Sequence, residues 1–322
     1  MWKAAICQVD SQMDKEAALR AAGEMVRRAA RSGARLAAFP ENVTYMGRGY
    51  RKQAEPAEVA ATANCDPAER AGGSCVRFYE QVKRSRGEAA GEAEAAENCE
   101  PAERAGSSAR FFAEAAREND IWIMTGSFPE SDPSGKPKNT LLLIDPNGQV
   151  RAKYSKIHLF DMEIEGQRPQ LESAQVTAGN TLTLCETELG TLGFGICYDL
   201  RFPEMFRLLA LEGARVIFLP ASFTRETGEM HWKTLLRARA IEIGVYIIAP
   251  DQCGHKTTMH AHGHSMIIDP WGRVLAEAGG EEPEILFAEI DPEESARAQA
   301  QIGSLKNRRA EVYQLAGSVD RF

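Results

Sequence analysis

Apolar positions along the chain fall into short blocks of strand length, separated by stretches of helical period. Trp2–Val9 is a nearly continuous apolar run, and Lys15–Arg31 follows as an Ala- and Arg-rich helix. Arg35–Phe39 predicts a second strand, stopped by Pro40-Glu41-Asn42; Ser108–Glu118 predicts a helix and Ile121–Gly126 a buried strand. Two hairpins come next. Thr140–Ile144 and Gln149–Tyr154 flank the turn Asp145-Pro146-Asn147-Gly148, and Leu182–Glu186 and Leu192–Ile196 flank Glu188-Leu189-Gly190. The pattern continues with a helix at Phe202–Glu212, a strand at Arg215–Leu219, a helix at Met230–Ile243 and a strand at Val245–Ala249. Ser265–Ile268 and Arg273–Glu277 form a last hairpin around Asp269-Pro270-Trp271-Gly272, and Ile285–Ile290 closes the series. Hairpin-joined strands with helices between them predict an α/β fold, either one mixed sheet or two stacked sheets covered by helices.

One region breaks this order. Asn64-Cys65-Asp66-Pro67-Ala68-Glu69-Arg70-Ala71-Gly72 recurs nearly verbatim as Asn98-Cys99-Glu100-Pro101-Ala102-Glu103-Arg104-Ala105-Gly106. The residues between, Gly87–Glu97, are almost all Ala, Gly and Glu. Two copies are too few for a solenoid. Residues 57–106 therefore read as a local duplication inserted on a loop of a single 322-residue domain. Cys65 and Cys75 could pair, but Ala109 stands in the second copy where Cys75 stands in the first.

Composition narrows the partners. A net charge of −8 argues against nucleic acid or an anionic membrane surface. No apolar run approaches the roughly 18 residues of a membrane span, and the N-terminal residues lead directly into a strand pattern, so a cytoplasmic protein is expected. Seven cysteines scattered over the chain do not resemble a secreted disulfide framework, and mostly free thiols are expected.

The chemistry gathers at strand ends. Gly193-Phe194-Gly195-Ile196-Cys197 is a glycine-spaced strand ending on a cysteine, and a helix-start signal follows at Pro203-Glu204. Such a junction can expose a sulfur beside backbone N–H groups, as a thiol nucleophile needs, although many free cysteines simply fill strand ends. Glu41 lies just beyond one strand, and Lys156 lies in Tyr154-Ser155-Lys156-Ile157-His158-Leu159-Phe160 after another. Singly, each reads as an ordinary loop residue. Together with Cys197 they supply a base, an oxyanion donor and a nucleophile, the set that amide hydrolysis by a thiol requires.

These motifs identify the chain as resembling the nitrilase superfamily of carbon–nitrogen hydrolases. The family's catalytic Glu, Lys and Cys match Glu41 in Phe-Pro-Glu-Asn, Lys156 in Ser-Lys-Ile-His-Leu-Phe-Asp and Cys197 in Gly-Ile-Cys-Tyr-Asp-Leu-Arg-Phe-Pro-Glu. A second family glutamate, which orients the lysine or the substrate, matches Glu172. The likeness extends through Thr227-Gly228, His231-Trp232, Leu236–Glu242 and Gly263–Gly272. It implies a four-layer α-β-β-α sandwich, assembly into homodimers or higher homo-oligomers, and chemistry without metal or organic cofactor. It also implies an oxyanion held by Lys156 and the Tyr198 backbone N–H, with Asp199, Arg201 and Glu204 bracing the nucleophile turn.

The motifs around residues 197–204, 235–242 and 263–272 are similar to the amidase branch that acts on deaminated glutathione and ω-amides. A small carboxylate-bearing ω-amide, such as deaminated glutathione or a 2-oxo acid amide, is the substrate this implies. A nitrilase, a carbamoyl-amine hydrolase, an amide-forming acyltransferase and a catalytically silent binding or signalling protein are the alternatives. Tyr45 and Phe223, with Arg48 or Arg225, are candidates for substrate contact; a basic residue would suit a carboxylate. His255, His260, His262 and His264 offer a competing zinc site, since alternation would put 260, 262 and 264 on one strand face. Gly263 weakens that strand, and the resemblance already accounts for His264 in a hairpin motif. Trp232, Arg237 and Arg239 read as packing and interface residues.

Overall fold

Two seven-stranded sheets form the centre of the computed structural model, which describes residues 1–57, 107–162 and 170–322. In the first, β1 (Trp2–Gln8), β2 (Leu36–Ala38) and β3 (Trp122–Met124) are parallel neighbours. β15 (Glu284–Ile290) adds antiparallel to β1; β5 (Lys138–Ile144) adds antiparallel to β3 and also pairs with β4 (Phe128–Glu130) and β6 (Val150–Ser155). The second sheet runs β14 (Val274–Glu277), β13 (Met266–Ile268), β12 (Tyr246–Ala249), β11 (Val216–Phe218), β10 (Gly190–Phe194), β9 (Leu182–Thr187) and β16 (Val319–Arg321). A two-stranded ribbon, β7 (Asp161–Met162) with β8 (Gln170–Leu171), stands apart.

Strand alternation explains the layering. On β1, Trp2, Ala4 and Ile6 enter the core shared with the second sheet, whereas Ala5 and Cys7 face the other way. Leu36 and Ala38 against Ala37, and Leu141 and Leu143 against Leu142 and Ile144, divide in the same manner. The outward set is buried under α1 (Lys15–Arg31) and α2 (Ser107–Asn119) through Ala22, Val26, Ala29, Phe112, Ala113 and Ala116. On the second sheet, α3 (Pro203–Leu211) and α4 (Arg225–Ile243) bring Leu209, Trp232, Leu236 and Ala240 into the core. The result is the expected α-β-β-α order, with parallel strands covered on both faces.

Among the elements not expected are β4, the β7–β8 ribbon, β16 and the helix α5 (Pro292–Ile302). Helix α4 also begins at Arg225 instead of Met230, because Thr224 caps it and carries it through Thr227-Gly228. The duplicated segment 57–106 lies outside the described residues apart from Ala57, and Cys65 and Cys75 lie there too. Among the described residues, Cys7, Cys197 and Cys253 are free thiols. Among the described residues no helix is long and apolar enough to cross a membrane.

Gly126 sets the height of the chain leaving β2. Its φ is +70°, and a Cβ there would lie 1.9 Å from the Pro40 carbonyl oxygen and 2.6 Å from that of Phe39. Gly126→Ala should therefore cost about 2 kcal/mol or more and displace the neighbouring Glu41. Urea unfolding would measure the cost; an unchanged midpoint would contradict this account of the close approach.

Candidate active site

Glu41, Lys156 and Cys197 arrive at one place from three strand ends. The Glu41 segment leaves β2 and is fixed by its backbone: the Gln252 amide donates to the Glu41 carbonyl at 2.9 Å, and Asn42 N donates to Ser127 Oγ at 3.0 Å. Lys156 follows β6, its N–H donating to the Asn139 carbonyl on β5 at 2.9 Å. Asn139 turns its side-chain amide onto Glu41 Oε1 at 2.8 Å, so one residue positions both the acid and the lysine. Glu41 and Lys156 are buried, 3% and 2% exposed.

Lys156 Nζ donates to Glu41 Oε1 at 2.9 Å and to Glu172 Oε2 at 2.9 Å and Oε1 at 3.2 Å. Glu172 is in turn oriented by the Phe160 N–H, 2.6 Å from Oε2. Burial alone would lower the Lys156 pKa, but the charges of Glu172 and Glu41 outweigh it and hold it well above the usual lysine value. The ammonium is therefore permanent at working pH.

Cys197 lies beyond β10 in the left-handed region, φ +49°, where a residue with a side chain costs about 1–3 kcal/mol. Its N–H is tied to the Pro220 carbonyl at 2.9 Å, and its thiol shares one cavity with Glu41, Lys156 and Ser222. Burial pushes the thiol pKa up well above its usual value; the Glu41 charge adds to this, and Lys156 and the Ser222 N–H act against it. The resting sulfur is thus a protonated thiol. Tyr198 follows in the first turn of a 3-10 segment (Cys197–Arg201), where backbone N–H groups lack intrahelical acceptors.

Asp199 holds the nucleophile turn. Fully buried, it accepts from Ile196 N at 2.8 Å and Tyr154 Oη at 2.7 Å through Oδ2, and from His158 N at 3.1 Å through Oδ1. The same oxygen lies 2.7 Å from His158 Nδ1. The turn bearing Cys197 is thereby pinned to the strand leading to Lys156. Arg239 on α4 adds two hydrogen bonds to the Leu200 carbonyl, at 3.1 and 2.8 Å.

Glu41, Asn139, Lys156, Glu172 and Cys197 line a cavity of about 430 Å³, a size suited to a small molecule. Tyr198 and Phe223 line it as expected, and so does Arg48. Tyr45 does not: it is buried, and its hydroxyl donates to the Arg48 carbonyl. Arg225 is also elsewhere, paired on the surface with Glu229 and Glu281. Arg201 joins the turn to α4 through His231 and also reaches the cavity. Its guanidinium lines the cavity, 5.8 Å from the Tyr198 ring centroid and 5.6 Å from that of Phe223, with both terminal nitrogens 3.3 Å from His231 Nδ1. Among the described residues it has no carboxylate partner. Glu204 is exposed on the first turn of α3.

Sequence reasoning missed Asn139, Gln252 and Tyr50. The first two are buried, but each stands in a polar stretch, Lys138-Asn139-Thr140 and Asp251-Gln252, so the sequence gives no sign of their burial. Tyr50 lines the cavity, and among the described residues its buried hydroxyl has no hydrogen-bond partner, a polar atom left for whatever fills the space.

The comparisons with known proteins agree with this geometry. A carbon–nitrogen hydrolase family model matches residues 3–300. The chain belongs to the carbon–nitrogen hydrolase family. It is 37% identical over 310 residues to a deaminated glutathione amidase of Synechocystis, covering 95% of this chain and 97% of that one. The human deaminated glutathione amidase is 34% identical over 315 residues, covering 96% and 83%. Mouse omega-amidase NIT2 is 39% identical over 202 residues, covering 62% and 72%. Among solved structures, the Caenorhabditis elegans NitFhit protein superposes with a TM-score of 0.77 at 32% identity, over 98% of this chain and 66% of that longer one. Saccharomyces cerevisiae Nit3, of the nitrilase superfamily, gives 0.72 at 28%, over 96% and 97%.

For this carbon–nitrogen hydrolase, the raised thiol pKa predicts how Cys197 reacts with methyl methanethiosulfonate, which has no amide group. Modification should be slow at neutral pH and climb about tenfold per pH unit from about pH 7 to 9 without a plateau. Glu41→Gln removes a charge that raises the thiol pKa, so modification at fixed pH should accelerate. Peptide mass spectrometry on Cys197 reads both; a plateau below about pH 8 contradicts the assignment.

Proposed function

We propose that this chain is a thiol amidohydrolase that converts a small carboxylate-bearing ω-amide to the carboxylate and ammonia. The observation that carries the reading is the convergence of Cys197, Glu41 and Lys156 on one cavity, with Lys156 hydrogen-bonded to Glu41 as a fixed cation. In the proposed reaction, Glu41 takes the thiol proton as Sγ attacks the amide carbon. Lys156 and the Tyr198 backbone N–H hold the oxyanion, and Glu172 keeps Lys156 in place. When the tetrahedral intermediate collapses, the C–N bond breaks and Glu41 returns the proton to departing ammonia. Glu41 then takes a proton from water, whose oxygen attacks the thioester; the carboxylate leaves and the thiol is restored.

Arg201 supports the substrate class. A guanidinium in a cavity wall, held by aromatic rings and without a carboxylate of its own, suits a carboxylate at the far end of the substrate. Relatives named for deaminated glutathione and for ω-amides fit the same chemistry. A single catalytic domain, cytoplasmic and homo-oligomeric, completes the proposal; the family match from residue 3 to 300 in one run supports its first part.

Ammonia release from deaminated glutathione, 2-oxo ω-amides, ureido acids and nitriles would test the class, with ω-amides turned over best. Cys197→Ala should abolish turnover with the fold intact by circular dichroism, and retention of near-normal activity would sink the mechanism. Arg201→Met should raise KM for a carboxylate-bearing amide about tenfold or more, while changing little for an uncharged amide. Equal effects on both would place the carboxylate elsewhere.

A further inference from the structure

The histidines of residues 255–264 divide into two groups in the structure. Gly263, at φ +68°, breaks the alternation that would have put 260, 262 and 264 on one face. His262 packs against Gly228 on α4, and His264 Nδ1 lies 3.8 Å from Glu277. His255 and His260 instead face one another across an isolated antiparallel bridge. Lys256 N, donating to the Met259 carbonyl at 2.8 Å, closes the turn between them. Residues directly opposite on such a bridge project their side chains to the same side. Here the imidazoles stack with centroids 3.6 Å apart and planes inclined by 25°. Glu281, on the segment after β14, brings Oε2 to 3.0 Å from His260 Nε2. One nitrogen of each histidine and one Glu281 oxygen lie within 4.8 Å of one another.

We propose that His255, His260 and Glu281 form a binding site for a divalent first-row transition-metal ion, of the class represented by Zn2+. Two imidazole nitrogens and one carboxylate oxygen are a zinc donor set that leaves a fourth position for water. Bonds of about 2.0–2.1 Å in a tetrahedron put ligand atoms about 3.4 Å apart, so these atoms need to close by no more than about 1.5 Å. His255 and Glu281 are exposed and can rotate that far. The carboxylate is already divided suitably: Arg225 Nη1 holds Oε1 at 3.2 Å, while Oε2 faces the histidines. That Arg225–Glu281 pair is half exposed on both sides and costs little to adjust. The site is separate from the Glu41, Lys156 and Cys197 cluster and does not depend on the amidase reading. It stands at the base of the turn whose Thr258 and Met259 line the catalytic cavity.

Calorimetric titration with Zn2+ tests the site, best in a Cys197→Ala background that removes the cavity thiol as a competing ligand. The His255→Ala/His260→Ala double variant should bind one Zn2+ fewer than its parent. Glu281→Gln should retain the stoichiometry and weaken that site about tenfold or more. X-ray absorption at the zinc edge should show nitrogen and oxygen donors that disappear in the double variant. His255→Ala alone, at an exposed side chain, gives the same comparison if the double variant folds poorly. Unchanged stoichiometry and affinity in the folded histidine variants would overturn the proposal, as would zinc ligated by sulfur alone.

Discussion

A buried ammonium shared by two carboxylates is the constraint around which this molecule is arranged. Lys156 cannot sit among apolar layers without Glu41 and Glu172, and removing one partner of such a cluster costs about 3–5 kcal/mol. Each member is held by groups outside the cluster: Glu41 by Asn139 and the backbone contact from Gln252, Glu172 by the Phe160 N–H. Those holders sit on different strands and loops, so the polar centre fixes how the loops above the first sheet lie. The two packed sheets supply the dry surroundings in which these charges act strongly.

The proposed nucleophile is prepared by geometry more than by ionisation. Cys197 occupies a strained backbone position secured by Asp199, by the Pro220 carbonyl and, through Leu200, by Arg239. Its thiol faces the same cavity as the carboxylate that would receive its proton. A thiol held this way differs from the low-pKa thiolates of redox proteins, which are reactive toward any electrophile that reaches them. Reactivity is coupled instead to an acceptor carbon placed where Sγ, Glu41 and Lys156 converge.

Much of this was legible in the chain. Helix α1 ran over the residues its period indicates, with Asp14 as its cap. The strand-end positions of Glu41, Lys156 and Cys197 pointed to one site before any contact was known. What escaped did so for separable reasons. β4 and β16, three residues each, are too short for a period to register, and β16 exists only through pairing with β9. Helix α5 did carry a full signal, with Asp291, Pro292 and the terminal Gly303, that went unused. Tyr45 and Arg201 are a different case. Adjacent sequence cannot say that the Tyr45 hydroxyl is spent on the Arg48 carbonyl, or that Arg201 turns from the nucleophile turn into the cavity. Side-chain direction is decided by tertiary neighbours.

The division of the site between the sheets has a mechanical consequence. Glu41, Asn139 and Lys156 belong to the first sheet and its exits, whereas Cys197 and Ser222 belong to the second. The cavity that holds both thiol and carboxylate therefore lies over the seam between the sheets, where Ile6, Leu141 and Leu143 share one core with Phe194, Phe218 and Ile248. Turnover becomes a gauge of that seam: a small slip of one layer over the other would part acid from nucleophile while both halves stayed folded.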